Sequence, residues 1–136
     1  MRLVLDTNVV LSALLWKGLP NKLIDHGSAK HTHFFSSTAL LTELTDVLSR
    51  SKLARRIAAS RLSVPQHVLR YINLTVLVVP QRVPRIAPDP DDDVVLGTAL
   101  AAKADFIVTG DRALRSVVQF QGIRIVSVAE ALEAIG

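Results

Sequence analysis

Residues 89–111, DPDDDVVLGTALAAKADFIVTGD, contain a run of aspartates, an apolar helical pattern, a short apolar strand and a further acid. Apolar and small side chains recur along the helical part at the spacing of one buried face. The DFIVT segment has the continuous apolar character of a strand that is buried on both sides. Helices that alternate with such strands are typical of α/β proteins. This stretch therefore predicts a parallel sheet with helices packed against both of its faces.

The rest of the chain repeats this alternation. The N-terminus, MRLVLDTNVV, predicts a strand over Arg2 to Leu5 and then a helix. Further strands are expected at Phe34-Phe35, in the TVLVV run of residues 75–79, and near Ile123 to Val126. The prolines between Pro80 and Pro90 indicate a connector rather than a helix or strand. Other helices are expected over residues 20–29, 38–50 and 65–72, from residue 112, and from residue 129.

The composition is that of one globular domain. The chain has 136 residues, of which 49% are hydrophobic and 21% are charged, and it has no cysteine. We expect a single domain over residues 1–136, without disulfides and without a membrane span. The sequence starts directly in a strand-like run and shows no secretory signal pattern, so a cytoplasmic location is expected. The net charge of +4 favours an anionic partner.

Acidic residues follow the predicted strands. Asp6 comes directly after the first strand, Glu43 lies within about two turns of the start of the helix after the second, and Asp111 follows the strand that ends at Thr109. In open parallel sheets, ligands bind outside the carboxyl ends of the strands. The sequence therefore places these acids at one edge of the sheet.

Helical geometry separates the acids that face the core from those that face water. At about 100° per residue, Glu43 borders the apolar stripe of its helix, whereas Asp46 points nearly to the opposite side. In the aspartate run, Asp92 heads the apolar column of the helix, Asp93 lies about 100° away, and Asp91 lies on the other side. Glu43 and Asp92 are therefore the candidates from these two segments.

Each acid also has a simpler structural interpretation. Asp6 or Asp111 taken alone can be explained as the N-cap of the helix that follows it. The run at residues 91–93 can be explained as a solvated helix start. Glu43 lies too far into its helix to be a cap. Four carboxylates at one edge would repel one another unless a counter-ion were present. A hard divalent cation such as Mg²⁺ or Mn²⁺ prefers oxygen ligands and would provide that counter-charge.

Four blocks of the sequence together resemble the PIN-domain family, and in particular the small toxins of prokaryotic toxin–antitoxin pairs. The blocks are LDTNVVLSALL, STALLTELTDVLSR, DPDDDVVLGTALAAKADFIVTGD and GIRIVSVAEAL, and they occur in the order of the family pattern. The match spans nearly the whole chain, and the third block is the most specific. The resemblance implies a Rossmann-like three-layer domain with a sheet of five parallel strands.

The resemblance also implies a function, a metal and partners. It implies a Mg²⁺- or Mn²⁺-dependent endoribonuclease whose acidic quartet holds one or two ions. Asn8 and Thr109 would be polar neighbours that help to hold ligands or waters. An RNA substrate, a cognate antitoxin and a homodimer are the expected partners. The catalytic and metal-binding residues would be Asp6, Glu43, Asp92 and Asp111.

A basic segment, RSKLARRIAASR at residues 50–61, follows the helix that contains Glu43. It offers contacts for an RNA backbone or an acidic antitoxin segment, although such runs are usually solvated helix faces. Trp16, at the end of an apolar helix, is assigned to packing rather than to stacking, with a homodimer or antitoxin interface as the alternative. The candidate RNA or partner contacts are Arg50, Lys52, Arg55, Arg56 and Arg112.

Two other functions remain open from the residues alone. An aspartate after the first strand also begins the site of phosphatases that form a phosphoaspartate, but these need a second acid two residues later, where this chain has Asn8. The second alternative is a module that binds RNA or a partner on the same fold without cleaving anything. Intact acids at Asp6, Glu43 and Asp111 argue against this loss of activity.

Overall fold

The first strand lies in the interior of the sheet because both of its faces are apolar. In the computed structural model, which describes residues 1–29, 31–84 and 92–136, β1 is Arg2–Leu5. Leu3, Val4 and Leu5 are all buried. Strands with this continuous burial belong to parallel sheets that are covered on both faces.

The sheet has six strands in the order β3-β2-β1-β4-β6-β5. The first five in this order run parallel, as predicted, whereas β5 pairs antiparallel with β6 and adds a strand beyond the predicted five. The remaining strands are β2 His33–Ser36, β3 Thr75–Leu77, β4 Phe106–Val108, β5 Gln119–Phe120 and β6 Ile123–Val126.

The helices follow the predicted order, with shifted ends. The helix predicted to reach Arg50 ends at Leu48, and the basic segment after it forms a 3₁₀ turn, Ser51–Leu53, and a separate helix. The predicted connector lies partly outside the described residues, from 85 onward. The helices are α1 Thr7–Leu15, α2 Leu19–Ala29, α3 Thr38–Leu48, α4 Ala54–Ser60, α5 Val64–Asn73, α6 Asp92–Ala102, α7 Arg112–Arg115 and α8 Val128–Ile135.

Alternate residues of the strands belong to two separate hydrophobic cores, one on each face of the sheet. Leu3 and Leu5 point into the core formed with α1, α2, α3, α5 and α8. Val4 points into the core formed mainly with α6 and α7. This alternation confirms the three-layer α/β architecture, because neighbouring side chains of a strand point to opposite faces. No helix of the described ranges is long and apolar enough to span a bilayer.

Glycine permits a close backbone approach on α6. The N–H of Gln81 donates to the carbonyl oxygen of Gly97 at 3.0 Å, so the segment after β3 crosses α6 at this residue. A Cβ at Gly97 would overlap the Gln81 carbonyl oxygen. Residue 97 must therefore lack a side chain for this connection to lie against the helix.

Candidate active site

Asp6 connects the central strand to the first helix. Its N–H donates to the carbonyl oxygen of Val108 on β4 at 2.9 Å, which continues the sheet pairing to the residue after β1. Its Oδ1 accepts a hydrogen bond from the N–H of Thr7 at 2.8 Å, so the predicted capping role is present. The side chain is only 8% exposed. A simple cap needs no such burial, and the second carboxylate oxygen has a different partner.

Thr109 links the two acids that follow β1 and β4. Its hydroxyl donates to Asp6 Oδ2 at 2.8 Å and accepts from the N–H of Asp111 at 3.0 Å. Thr109 is fully buried, and its own N–H donates to the carbonyl oxygen of Val126 on β6. Asp111 is half-buried and caps α7 through the N–H of Ala113 at 2.9 Å. The structure thus brings Asp6 and Asp111 together around one hydroxyl.

The environment of Asp6 opposes its ionisation. Burial is the main cause that raises the pKa of Asp6 above its ordinary value, and the charge of Asp111 raises it further. The hydrogen bonds from Thr109 and Thr7 act in the opposite direction, because they stabilise the ionised form. Asp6 is therefore a carboxylate that would gain from a nearby cation.

Asp92 lies at the start of α6 with its side chain 8% exposed. The apolar column that it was predicted to head is buried, with Val95, Leu96 and Ala99 each at most 1% exposed. Asp93 is half-buried. Asp91, the third of the adjacent aspartates, lies outside the described residues.

Glu43 and Asn8 lie on more exposed positions. Glu43 is exposed at the border of the buried stripe of α3, and Asp46 is exposed as predicted. The helix that carries Glu43 packs against α1 and α6, and a hydrogen bond of 3.0 Å between the hydroxyls of Ser37 and Thr98 joins its N-terminus to α6. Asn8, in the first turn of α1, is exposed.

The described side chains do not form a closed metal cage. Within residues 1–29, 31–84 and 92–136, no three acidic or histidine residues stand close enough to hold one ion together. Thr109 links the carboxylate of Asp6 to the backbone N–H of Asp111, whereas the convergence of Glu43 and Asp92 on them stays a prediction. The donor set still suits Mg²⁺, which is usually held by one or two carboxylates and keeps several waters.

The predicted basic contacts all lie on the surface. Arg112 begins α7 directly after Asp111 and is exposed, which places it beside the acidic pair. Arg56 is also exposed, and it lines a cleft between helices. The other three, Arg50, Lys52 and Arg55, are exposed.

We expect Thr109→Val to weaken Mn²⁺ binding by about 10- to 100-fold, because it removes the group that orients Asp6 and contacts Asp111. The loss of its hydrogen bond should also raise the pKa of Asp6 further, so metal binding should require a higher pH. Titration calorimetry over a pH series would measure both effects. Thr109→Ser keeps the hydroxyl and is the matched control. Equal losses in the two variants would contradict this role.

The chain belongs to the PIN domain family, whose model matches residues 2–113. Proteins of this family are generally nucleases. The chain is also similar to a chain in the crystal structure of VapBC2 from Rickettsia felis bound to a DNA fragment from their promoter. The TM-score is 0.63 at 12% identity, and the match covers 93% of this chain and 98% of that one. This likeness shows the fold. No curated protein matches the sequence.

Proposed function

We propose that this protein is a metal-dependent endoribonuclease that hydrolyses RNA phosphodiester bonds. The observation that carries the proposal is the buried Asp6 carboxylate, joined through Thr109 to Asp111 at the carboxyl edge of the sheet. Membership of the PIN domain family supports nuclease chemistry at this edge. The raised pKa of Asp6 supports a cation there, because a positive charge would offset the cost of its burial.

The chain supplies ligands, orientation and attraction for the substrate. Asp6 and Asp111 would hold Mg²⁺ or Mn²⁺, with Asp92 and Glu43 as the further carboxylates of the quartet. When bound, the ion would activate a water molecule and stabilise the charge that develops on the phosphate. Thr109 keeps Asp6 in one orientation and favours its ionised form. Arg112 would attract the RNA backbone to the acidic edge.

We also propose a cognate antitoxin as partner and a role as the toxin of such a pair. The four sequence blocks and the fold likeness to a chain of VapBC2 support this partner. A homodimer is proposed as well. The edge strand β3 supports it, because Val76 and Leu77 on this strand are 52% and 48% exposed. An RNA substrate would place the protein in the cytoplasm.

Purified protein should cleave single-stranded RNA in Mn²⁺ or Mg²⁺ and lose this activity in EDTA. Gel analysis of a labelled RNA measures cleavage, and release of phosphate from a small phosphomonoester measures phosphatase activity in parallel. RNA binding without cleavage in either metal would instead favour a non-catalytic module. Phosphate release without RNA cleavage would favour the phosphatase.

A further inference from the structure

A polar cleft lies away from the acidic edge, at the other end of α1. It has a volume of about 620 Å³, is bordered by the end of α1, by α4 and by α5, and contains none of the four candidate acids. Its lining includes three cations, Lys17, Arg56 and Arg70, and among the described residues that line it none is acidic. The volume is that of a ligand pocket, and the charge favours an anion.

An exposed aromatic ring stands beside these cations. Trp16 follows α1 directly and is 41% exposed. The guanidinium carbon of Arg56 lies 5.0 Å from the centre of the Trp16 ring, and its Nε donates to the carbonyl oxygen of Leu15 at 2.9 Å. Arg56 is thereby held in place next to the ring. An indole beside a fixed guanidinium is a stacking surface for a nucleic-acid base.

His67 adds a buried imidazole to the wall of the cleft. It is only 1% exposed, and its Nε2 lies 2.8 Å from Ser60 Oγ. The Ser60 hydroxyl also donates to the carbonyl oxygen of Ile57 at 2.6 Å, so this contact fixes the imidazole against α4. Nδ1 is buried and has no hydrogen-bond partner within the described part of the chain.

Burial and the charge of Arg70 lower the pKa of His67, which favours the neutral imidazole. The positive charge of the cleft therefore comes from Lys17, Arg56 and Arg70, and it suits a ligand that carries both an anionic group and a flat ring that stacks on the indole. A nucleotide of single-stranded RNA has both, in its phosphate and in its base. An acidic peptide would satisfy the cations but would not use the stacking surface.

We propose that this cleft is a second RNA-binding subsite, in which a nucleotide of single-stranded RNA stacks on Trp16 while its phosphates contact Arg56, Arg70 and Lys17. The proposal rests on the proposed RNA-cleaving function. Asp6 and Trp16 flank opposite ends of α1, which has nine residues and is about 14 Å long. A strand bound in the cleft would therefore have to extend along the length of α1 to reach the acidic edge.

Trp16 is the one tryptophan of the chain, so its fluorescence reports directly on this cleft. In EDTA, where cleavage is not expected, a short oligouridylate should quench the Trp16 emission in a saturable way. Trp16→Ala should weaken binding of a labelled oligouridylate, measured by fluorescence anisotropy, by about 10-fold, which is within the range of one stacked base. Circular dichroism would show that the variant is folded.

Arg55 and Arg56 provide a matched pair of variants. Both were candidate RNA contacts from the sequence and both are exposed on α4, but only Arg56 lines the cleft, so the proposed subsite uses Arg56 and not Arg55. Arg56→Ala should weaken RNA binding about 5-fold or more, whereas Arg55→Ala should change it less than about twofold, although each removes one positive charge. Arg70→Gln is the second test, since it lowers the cleft charge without removing the Arg56 hydrogen bond to Leu15.

Several results would overturn the subsite. If the Arg55 and Arg56 variants weakened RNA binding equally, or if RNA bound without quenching Trp16, the subsite would be rejected. Mn²⁺-dependent RNA cleavage in the same protein would show that the proposed function still holds. Polyglutamate that quenches Trp16 where RNA does not would assign the cleft to an acidic protein partner. Uridine monophosphate that binds as tightly as the oligonucleotide would assign it to a free nucleotide. Absence of both RNA binding and RNA cleavage would reject the subsite and the proposed function together.

Discussion

Asp6→Asn is expected to lower the rate of RNA cleavage in Mn²⁺ by more than about 100-fold, because it removes a charged oxygen from the proposed metal site. The effect should exceed that of any surface cation, since those residues only attract RNA. The local structure should persist. Asparagine still accepts from the N–H of Thr7 through Oδ1, and it is as good an N-cap as aspartate. Its Nδ2 cannot accept from Thr109, but it can donate to the Thr109 hydroxyl, so the contact is kept with its direction reversed.

The same substitution should raise stability in the absence of metal. Because burial raises the pKa of Asp6 in the folded protein, the folded state binds more protons than the unfolded chain between the ordinary aspartate pKa and the raised value. Stability from this group therefore falls as the pH rises through that interval. Asparagine removes this cost, so the melting temperature of Asp6→Asn in EDTA at neutral pH should equal or exceed that of the wild type.

Added Mn²⁺ should reverse this order, since an ion that binds only the folded wild type raises its melting temperature. Thermal melts with and without Mn²⁺, at neutral and acidic pH, give the comparison. Asp46→Asn is the matched control, because Asp46 is exposed on the outer side of α3. A large loss of stability in Asp6→Asn without metal would mean that the lost activity reflects unfolding, and the catalytic assignment would lose its support.

The sheet and two of its acids were accessible from the sequence because their determinants are local. Continuous apolar runs predicted the parallel strands, and an acid within a few residues of the end of a strand lies at the carboxyl edge. Asp6 and Asp111 satisfy this condition without any knowledge of helix packing. Their mutual link through Thr109 depends on the pairing of β1 with β4, which the structure supplies.

Other features depend on contacts between distant parts of the chain. The side-chain position of Glu43 depends on the tilt of α3, which is set by packing against α1 and α6 rather than by its own periodicity. The strand β5 has only two residues, too few for a pattern, and its hairpin with β6 requires positive φ angles at Gln121 and Gly122. Glycine at position 122 was the available signal.

Sequence patterns could not predict the basic cleft either. Trp16, Arg56 and His67 come from three helical regions that no spacing rule connects. The sequence shows residues 50–61 as one basic segment, whereas the structure divides it into a 3₁₀ turn and α4. This division and the position of α4 against the end of α1 select Arg56 for the cleft.

Asp92→Asn should weaken Mn²⁺ binding by about 10- to 100-fold, whereas Asp93→Asn should change it little. The two variants remove the same charge from neighbouring positions in the first turn of α6, so they lose the same favourable interaction with the helix dipole. The two aspartates lie on different sides of the helix, since Asp92 is in line with the buried residues Val95 and Leu96. A difference in metal affinity therefore reports on position rather than on net charge.

Titration calorimetry with Mn²⁺, together with cleavage of a labelled RNA, would separate the two aspartates. Loss of binding in Asp93→Asn alone would show that the metal faces the other side of α6, and the quartet would then have to include Asp93. If both variants lost the same part of their Mn²⁺ affinity, the two aspartates would act on the metal only through the total negative charge at the start of α6. Only a selective loss in Asp92→Asn agrees with one carboxylate at the head of the buried column, reaching the same edge as Asp6.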